Sequence, residues 1–146
     1  MEGITRIAMP TSQDWLLENH VVQVKFWGDV TPEEVGQAFS LSAHFLKIGQ
    51  GKKIHFLHDW EDWERFPTNI FAIRKHLQVD ITDVERRKLG WMVVYGNRNR
   101  ILDFVSHVVL QIVNVPLRTF KTKDEAIQFI EKMDHYLSAS GVLRAD

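Results

Sequence analysis

Residues suited to acid–base chemistry meet at the end of one predicted strand, where His58 stands beside Asp59 in the run KIHFLHD. A histidine next to a carboxylate is a common composition for an acid–base pair. Neighbouring side chains of a strand point to opposite faces, however, so these two residues do not form a His–Asp relay by themselves. His55 and His58 also face opposite ways, which makes them a poor start for a metal site. We therefore predict structural or loop-capping roles for these residues. If the protein were an enzyme, His58 and Asp59 would be its best catalytic candidates.

Two tryptophans, Trp60 and Trp63, follow this strand in the motif WEDW. The favoured interpretation is a lid of aromatic packing over the end of the sheet. The alternative is an exposed aromatic patch that binds a partner or a small apolar ligand. Trp60, Trp63 and Asp59 are expected near the carboxyl ends of parallel strands, where open α/β sheets bind their ligands.

Polar residues also stand at the starts of two predicted helices in the same region. Thr68, or Asn69 after it, is predicted to cap a helix. A phosphate on Thr68 would meet free backbone N–H groups and the helix dipole, but a plain N-cap is the favoured interpretation. Arg98 and Arg100 could hold an anion at a helix N-terminus, although a solvated cap is favoured and the glycine spacing of a phosphate-binding loop is missing. The candidate ligand- or partner-binding residues are Asp59, Trp60, Trp63, Thr68, Arg98 and Arg100.

The composition narrows the chemistry further. The chain has no cysteine, which excludes a cysteine nucleophile, thiol redox chemistry and Cys-based zinc sites. It has neither a GxSxG elbow nor an HExxH pattern. With 18 Lys and Arg against 19 Asp and Glu, it lacks the basic excess of a nucleic-acid binder. We predict a protein that is not an enzyme and that uses no metal, no cofactor and no nucleic acid.

Length and hydropathy predict one domain over residues 1–146, with its core in residues 14–137. No stretch approaches the ~18 apolar residues of a membrane span. The first residues lack the apolar core of a signal peptide. A chain without cysteine also fits a reducing cytosol. These features predict a cytoplasmic protein without a membrane span.

Hydrophobic periodicity and turn residues predict the element order β-β-α-β-α-β-α-β-α. Asp14–Glu18 and Val21–Trp27 should form an antiparallel hairpin, because the second segment alternates apolar and polar residues after a tight turn. The later strands are predicted at Lys53–Asp59, Trp91–Tyr95 and Val115–Phe120, and the helices after Thr31, after Thr68 or Asn69, over Arg100–Asn114 and after Thr122. WEDWERFPTN is predicted as a loop and Asp80–Lys88 as a polar connector. The pattern indicates an α/β fold: a five-stranded, mostly parallel mixed sheet with an N-terminal antiparallel hairpin and about four helices.

The predicted helix that contains Ile101–Val113 is apolar over most of its circumference, whereas a surface helix normally has a wider polar face. Either both sides pack within the domain, or one side contacts another molecule. The interface candidates are Ile101, Phe104, Val105, Val108, Val109 and Ile112.

The segments GDVTPEEV, KKIHFLHDW, LGWMVVYG and VPLRTFKTKDEAIQFI, in this order, resemble the STAS/SpoIIAA-like superfamily over residues 14–137. The chain is most similar to bacterial SpoIIAA-like members of unassigned activity, whose last strand also ends in Phe before a capped helix. The matching positions are Phe120, Thr122, Glu125, Ala126, Ile127 and Ile130.

The resemblance implies a non-enzymatic regulatory or protein-interaction domain that forms a homodimer and has a regulatory protein partner. In the anti-sigma antagonists of this superfamily, the third strand ends in Asp before a phosphorylatable Ser. This chain matches only Asp59, and Thr68 is a displaced substitute, so their kinase-switched mechanism is not carried over. The superfamily resemblance extends to lipid-binding domains. The alternative is therefore a carrier of a small apolar or lipid-like ligand at the carboxyl ends of the strands.

Overall fold

The computed structural model describes residues 10–77, 81–106 and 115–134. In chain order these contain β1 (Thr11–Leu17), β2 (Val21–Asp29), α1 (Pro32–Ile48), β3 (Ile54–Arg65), α2 (Ile70–His76), α3 (Asp83–Lys88), β4 (Leu89–Tyr95), α4 (Arg98–Phe104), β5 (Leu117–Phe120) and α5 (Lys123–Met133).

The strands form one mixed sheet in the order β1-β2-β3-β4-β5. β1 and β2 are antiparallel, and the turn between them contains Asn19 at a φ of 68°, a left-handed conformation that asparagine tolerates. The other three strand pairs are parallel. This arrangement confirms the predicted fold class, with five helices in the described ranges instead of about four.

Helices cover both faces of the sheet. The strands follow one another across the sheet in chain order. Right-handed connections between successive parallel strands therefore place the connecting helices on one face. The core on that face joins buried side chains of α1, α2 and α4 to those of β2, β3 and β4. On the other face α5 contributes Ala126, Ile127 and Ile130, which are buried with Leu57 and Val93. β3 is therefore buried on both faces, as its weak alternation predicts.

Three helices begin with the same capping box, in which a threonine and a glutamate three positions later bind each other's backbone amides. In α1 the Glu34 amide donates to Thr31 Oγ1 over 3.2 Å, and the Thr31 amide donates to Glu34 Oε1 over 2.9 Å. Equivalent boxes start α3 at Thr82 and α5 at Thr122. The boxes of α1 and α5 fix helix starts that the sequence predicts.

The structure corrects several element boundaries. The predicted connector Asp80–Lys88 contains α3, whose start has the capping box of Thr82 and Glu85. The predicted loop WEDWERFPTN begins as strand, because β3 continues to Arg65. β1 also starts earlier than predicted, at Thr11, and β5 starts later, at Leu117.

No helix in the described ranges is both long and apolar enough to span a membrane.

Candidate functional site

A β-bulge in β3 determines where the residues of WEDW point. Lys25 is paired with Asp59 and Trp27 with Asp62, so two steps along β2 correspond to three along β3. The extra residue reverses the alternation of side chains between the two faces. Trp60 and Trp63, although an odd number of positions apart, therefore both face the core beneath α1, α2 and α4.

Both tryptophans belong to that core, since each is only 1% exposed. The Trp63 ring stacks on Phe26 and Phe66, with centroid distances of 4.5 and 4.0 Å. Its indole Nε1 donates to the carbonyl oxygen of Arg65 over 3.0 Å. The alternative interpretation as an exposed aromatic patch is therefore wrong, and Trp60 and Trp63 offer no surface to a partner or ligand.

His58 faces the same aromatic core. Its ring lies 6.0 Å from that of Phe26, and its Nδ1 accepts a hydrogen bond of 3.2 Å from the indole Nε1 of Trp60. Burial lowers the pKa of His58 to about 3. The imidazole is therefore neutral near neutral pH and acts as an acceptor within the core.

Asp59 lies on the opposite face, as the strand geometry predicts, and is also buried. Its Oδ1 accepts a hydrogen bond of 3.0 Å from the Glu61 amide, at the bulge. Tyr95 is the register partner of Asp59 on the neighbouring strand, so the two side chains share this face. Burial, followed by the negative charge of Asp59, raises the pKa of Tyr95 well above its usual value. Asp59 thus stabilises the bulge, and it is separated from His58 by the sheet.

The loop between β4 and α4 is held to β3 by an asparagine. Gly96 has a φ of 94° and Asn97 a φ of 29°, which places both in the left-handed region. Asn97 occupies the N-cap position of α4, but its side chain makes no capping bond. Its Nδ2 instead donates to the carbonyl oxygen of Trp63 over 2.9 Å. Arg98 and Arg100 lie exposed in the first turn of α4.

Thr68 is exposed directly before the N-cap of α2. Asn69 is the cap, because its Oδ1 accepts a hydrogen bond of 3.1 Å from the Ala72 amide. Thr68 therefore does not cap the helix.

The interface candidates of α4 are divided between the core and residues outside the described ranges. Ile101, Phe104 and Val105 are buried in the core beneath the helices. Because they are covered within the domain, their prediction as contacts with another molecule is wrong. Val108, Val109 and Ile112 lie outside the described residues.

Open hollows lie at both ends of the sheet. At the carboxyl ends of β2 and β3, where the sequence predicts a site, a polar hollow of about 640 Å³ lies next to Trp27. Lys25 and Asp62 form an ion pair of 3.7 Å there.

A larger hollow of about 780 Å³ lies at the amino ends of β3, β4 and β5, where no site was predicted. Its lining combines the apolar residues Leu89, Trp91, Pro116 and Met133 with Lys52, Lys53, His20 and His55.

His55 joins three elements at this amino-end hollow. Its Nε2 lies 3.0 Å from Asp134 Oδ2, just beyond α5, and its Nδ1 accepts a hydrogen bond of 3.0 Å from the Trp91 amide of β4. Because Nδ1 is an acceptor, Nε2 carries the ring proton and donates a hydrogen bond to Asp134. Burial lowers the pKa of His55, and Asp134 acts in the opposite direction.

Sequence reasoning missed the contact between His55 and Asp134. The two residues are 79 positions apart, and no local pattern links them. Gly90 is the one local sign of how closely the His55 ring is packed, because a side chain at position 90 would collide with that ring. Since both ring nitrogens of His55 are engaged, the arrangement fastens the end of α5 to β3 and β4 and leaves no nitrogen for a substrate proton.

Within the ranges that the structure describes, no three His, Cys, Asp or Glu side chains are grouped so that they could hold a metal ion.

The outer side of α2 carries an exposed aromatic residue that the sequence pattern does not single out. Phe71 is 83% exposed, while Ile73 and Leu77 bury the opposite side of the helix. Periodicity alone could not decide between Ile70 and Phe71, which are adjacent in the chain.

No protein-family model, curated protein or solved structure significantly matches the chain. The resemblance to the STAS/SpoIIAA-like superfamily therefore stays a prediction that depends on the motifs quoted above.

Proposed function

We propose that this chain is a non-enzymatic, regulatory protein-interaction domain of the STAS-like type, and that its contact surface is centred on α2. The observation that carries the proposal is Phe71, which stands on the solvent side of an amphipathic helix. A phenylalanine there gains nothing from folding, because its ring remains in water. Binding a partner would bury the ring, and aromatic residues are enriched at such interfaces.

The other side of α2 supports this interpretation. Ile70 is half-buried, and Ile73 and Leu77 pack into the core, so the helix already has a complete buried stripe. Phe71 is therefore not needed to attach α2 to the domain. α2 also follows β3, the strand that contains Asp59, which is the residue that matches the anti-sigma antagonists.

Homodimer formation belongs to the same proposal. Ile101, Phe104 and Val105 cannot supply the dimer surface, because they are buried within the domain. Light scattering on the purified chain gives its mass, and a monomer at high concentration would remove the homodimer from the proposal.

Replacing Phe71 with serine should abolish partner binding while changing the free energy of unfolding by only about 0.5 kcal/mol or less. The reason is that the ring contacts water in the free domain. Affinity capture from cells that express the chain, followed by mass spectrometry, compares the proteins retained by each variant. The matched control is Leu102→Ser, which removes a 46% exposed apolar side chain from α4. If both variants retain the same proteins as the unchanged chain, α2 is not the contact surface.

A carrier of a small apolar ligand is the second candidate, and the amino-end hollow favours it. The carboxyl-end version of this hypothesis relied on Trp60 and Trp63, which are in the core. The amino-end hollow instead offers Trp91 and other apolar side chains beside lysines.

Native mass spectrometry of the gently purified chain should then show a bound small molecule. Met133→Asp, which places a charge in the hollow, should remove the added mass. Leu41→Asp on α1 should not, because Leu41 is similarly exposed but does not line the hollow. A chain that carries no added mass would argue against the carrier.

A further inference from the structure

The outer side of α2 combines one aromatic residue with two cations. Phe71, Arg74 and Lys75 are all exposed and are spaced i, i+3 and i+4. Residues at this spacing are neighbours on a helix surface, with Cβ atoms about 5–6 Å apart. We call these three residues the α2 patch. It presents an apolar ring with positive charge on the adjoining turn.

The surrounding sequence strengthens this positive charge. No Asp or Glu occurs between Phe66 and Leu77. The connection between β3 and β4, residues 70–88, contains five Lys and Arg against three Asp and Glu. The formal charge of this segment is +2, whereas that of the chain is −1. The excess positive charge is therefore concentrated on the connection that carries Phe71.

We infer that the α2 patch binds an acidic segment of a partner protein, in which an apolar side chain covers Phe71 and carboxylates meet Arg74 and Lys75. The inference depends on the proposed function and names the chemistry of its partner. A guanidinium and a carboxylate can form paired hydrogen bonds, and charge at the rim of an interface selects partners and speeds their encounter. The aromatic ring supplies the desolvated contact at the centre.

The chemistry of the patch favours a protein segment over a membrane surface. An amphipathic helix that lies on a membrane inserts a continuous apolar face, and its binding strength scales with the apolar area buried. α2 has seven residues, and its apolar stripe of Ile70, Ile73 and Leu77 is already used against the domain. A single projecting ring fits one apolar pocket between acidic side chains of a partner protein better than it fits a membrane surface.

The test is a nuclear magnetic resonance titration of the labelled full chain with a short synthetic peptide in which glutamates flank leucines. Amide signals of residues 70–77 should shift in a saturable way, and added salt should weaken binding because it screens exposed charges. A twin peptide with glutamine in place of every glutamate should bind at least about tenfold more weakly.

Matched variants separate the roles of charge and ring. Arg74→Gln with Lys75→Gln should weaken peptide binding by about three- to tenfold, as expected for two exposed charge pairs. Phe71→Ser should weaken it by a similar factor or more. Arg98→Gln with Arg100→Gln, which removes two exposed cations from α4, should leave binding unchanged.

Three results would overturn the inference. The peptide could cause no saturable shift up to about 1 mM. The glutamine twin could bind as tightly as the glutamate peptide, or the shifts could be confined to residues outside 70–77. Preferential binding to phosphatidylserine vesicles would assign the α2 patch to a membrane instead. The proposed function fails separately, if the capture experiment finds no protein that depends on Phe71. A captured protein that depends on Phe71 but not on Arg74 and Lys75 would keep the function and reject the acidic partner.

Discussion

Replacing Trp63 with alanine is expected to lower the free energy of unfolding by about 3–5 kcal/mol. The indole is fully enclosed by aromatic rings, including Phe26, Phe66 and Phe104, the last at a centroid distance of 5.0 Å. Its removal leaves a cavity among rigid neighbours that cannot collapse easily. It also leaves the carbonyl oxygen of Arg65 without its indole donor. Denaturant unfolding followed by circular dichroism measures the loss.

Trp27→Ala is the matched control for this experiment. It removes the same side chain from the end of the neighbouring strand, where Trp27 is only half-buried beside an open hollow. Its loss should be clearly smaller, because less apolar surface returns to water. If Trp63→Ala costs under about 1 kcal/mol, the placement of WEDW in the core is wrong.

Acid should destabilise the domain over a defined pH range because of its buried histidines. His58 has a folded pKa of about 3, compared with 6.5 for the ordinary side chain. The unfolded chain therefore binds a proton that the folded domain excludes, and stability is full above pH 6.5 and falls as pH decreases toward 3. Each pH unit within this range costs up to about 1.4 kcal/mol for one such histidine. The lowered pKa of His55 acts in the same direction.

Urea unfolding at a series of pH values between 7 and 4 tests this expectation. His58→Gln removes the titrating ring and keeps an oxygen that can accept the Trp60 indole proton. Its stability at pH 7 should be reduced, but its decline toward acid should be shallower than that of the unchanged chain. The control is His44→Gln, on the exposed side of α1, which should keep the full decline. Parallel pH profiles for all three proteins would show that His58 does not titrate on unfolding.

The fold could be predicted because its signals are local. The alternation in Val21–Trp27 and the capping boxes at Thr31 and Thr122 are each contained in a few residues. α3 carries the same type of box at Thr82, but it was missed because its six residues include none that is buried. Without an apolar stripe, the segment DVERRK looks like a polar connector.

The candidate site was less predictable, because the decisive features depend on neighbouring strands. An inserted residue in β3 turns Trp63 toward the core, and a bulge is defined only by pairing with β2. The contact between His55 and Asp134 depends on how α5 returns across the sheet. The exposure of Phe71 follows from which side of α2 packs on α1, which an isolated seven-residue segment does not reveal.

The sequential strand order also has a consequence for how the domain assembles. Each strand pairs with the strand that precedes it in the chain, so the sheet can grow by one strand at a time from the amino terminus. Pairing never has to wait for a distant, later strand, which keeps the loops that must close short. During synthesis, a partly emerged chain could therefore already hold a native sheet with one growing edge. The bond from Asp134 back to His55 would form late in this process, when α5 covers the remaining face.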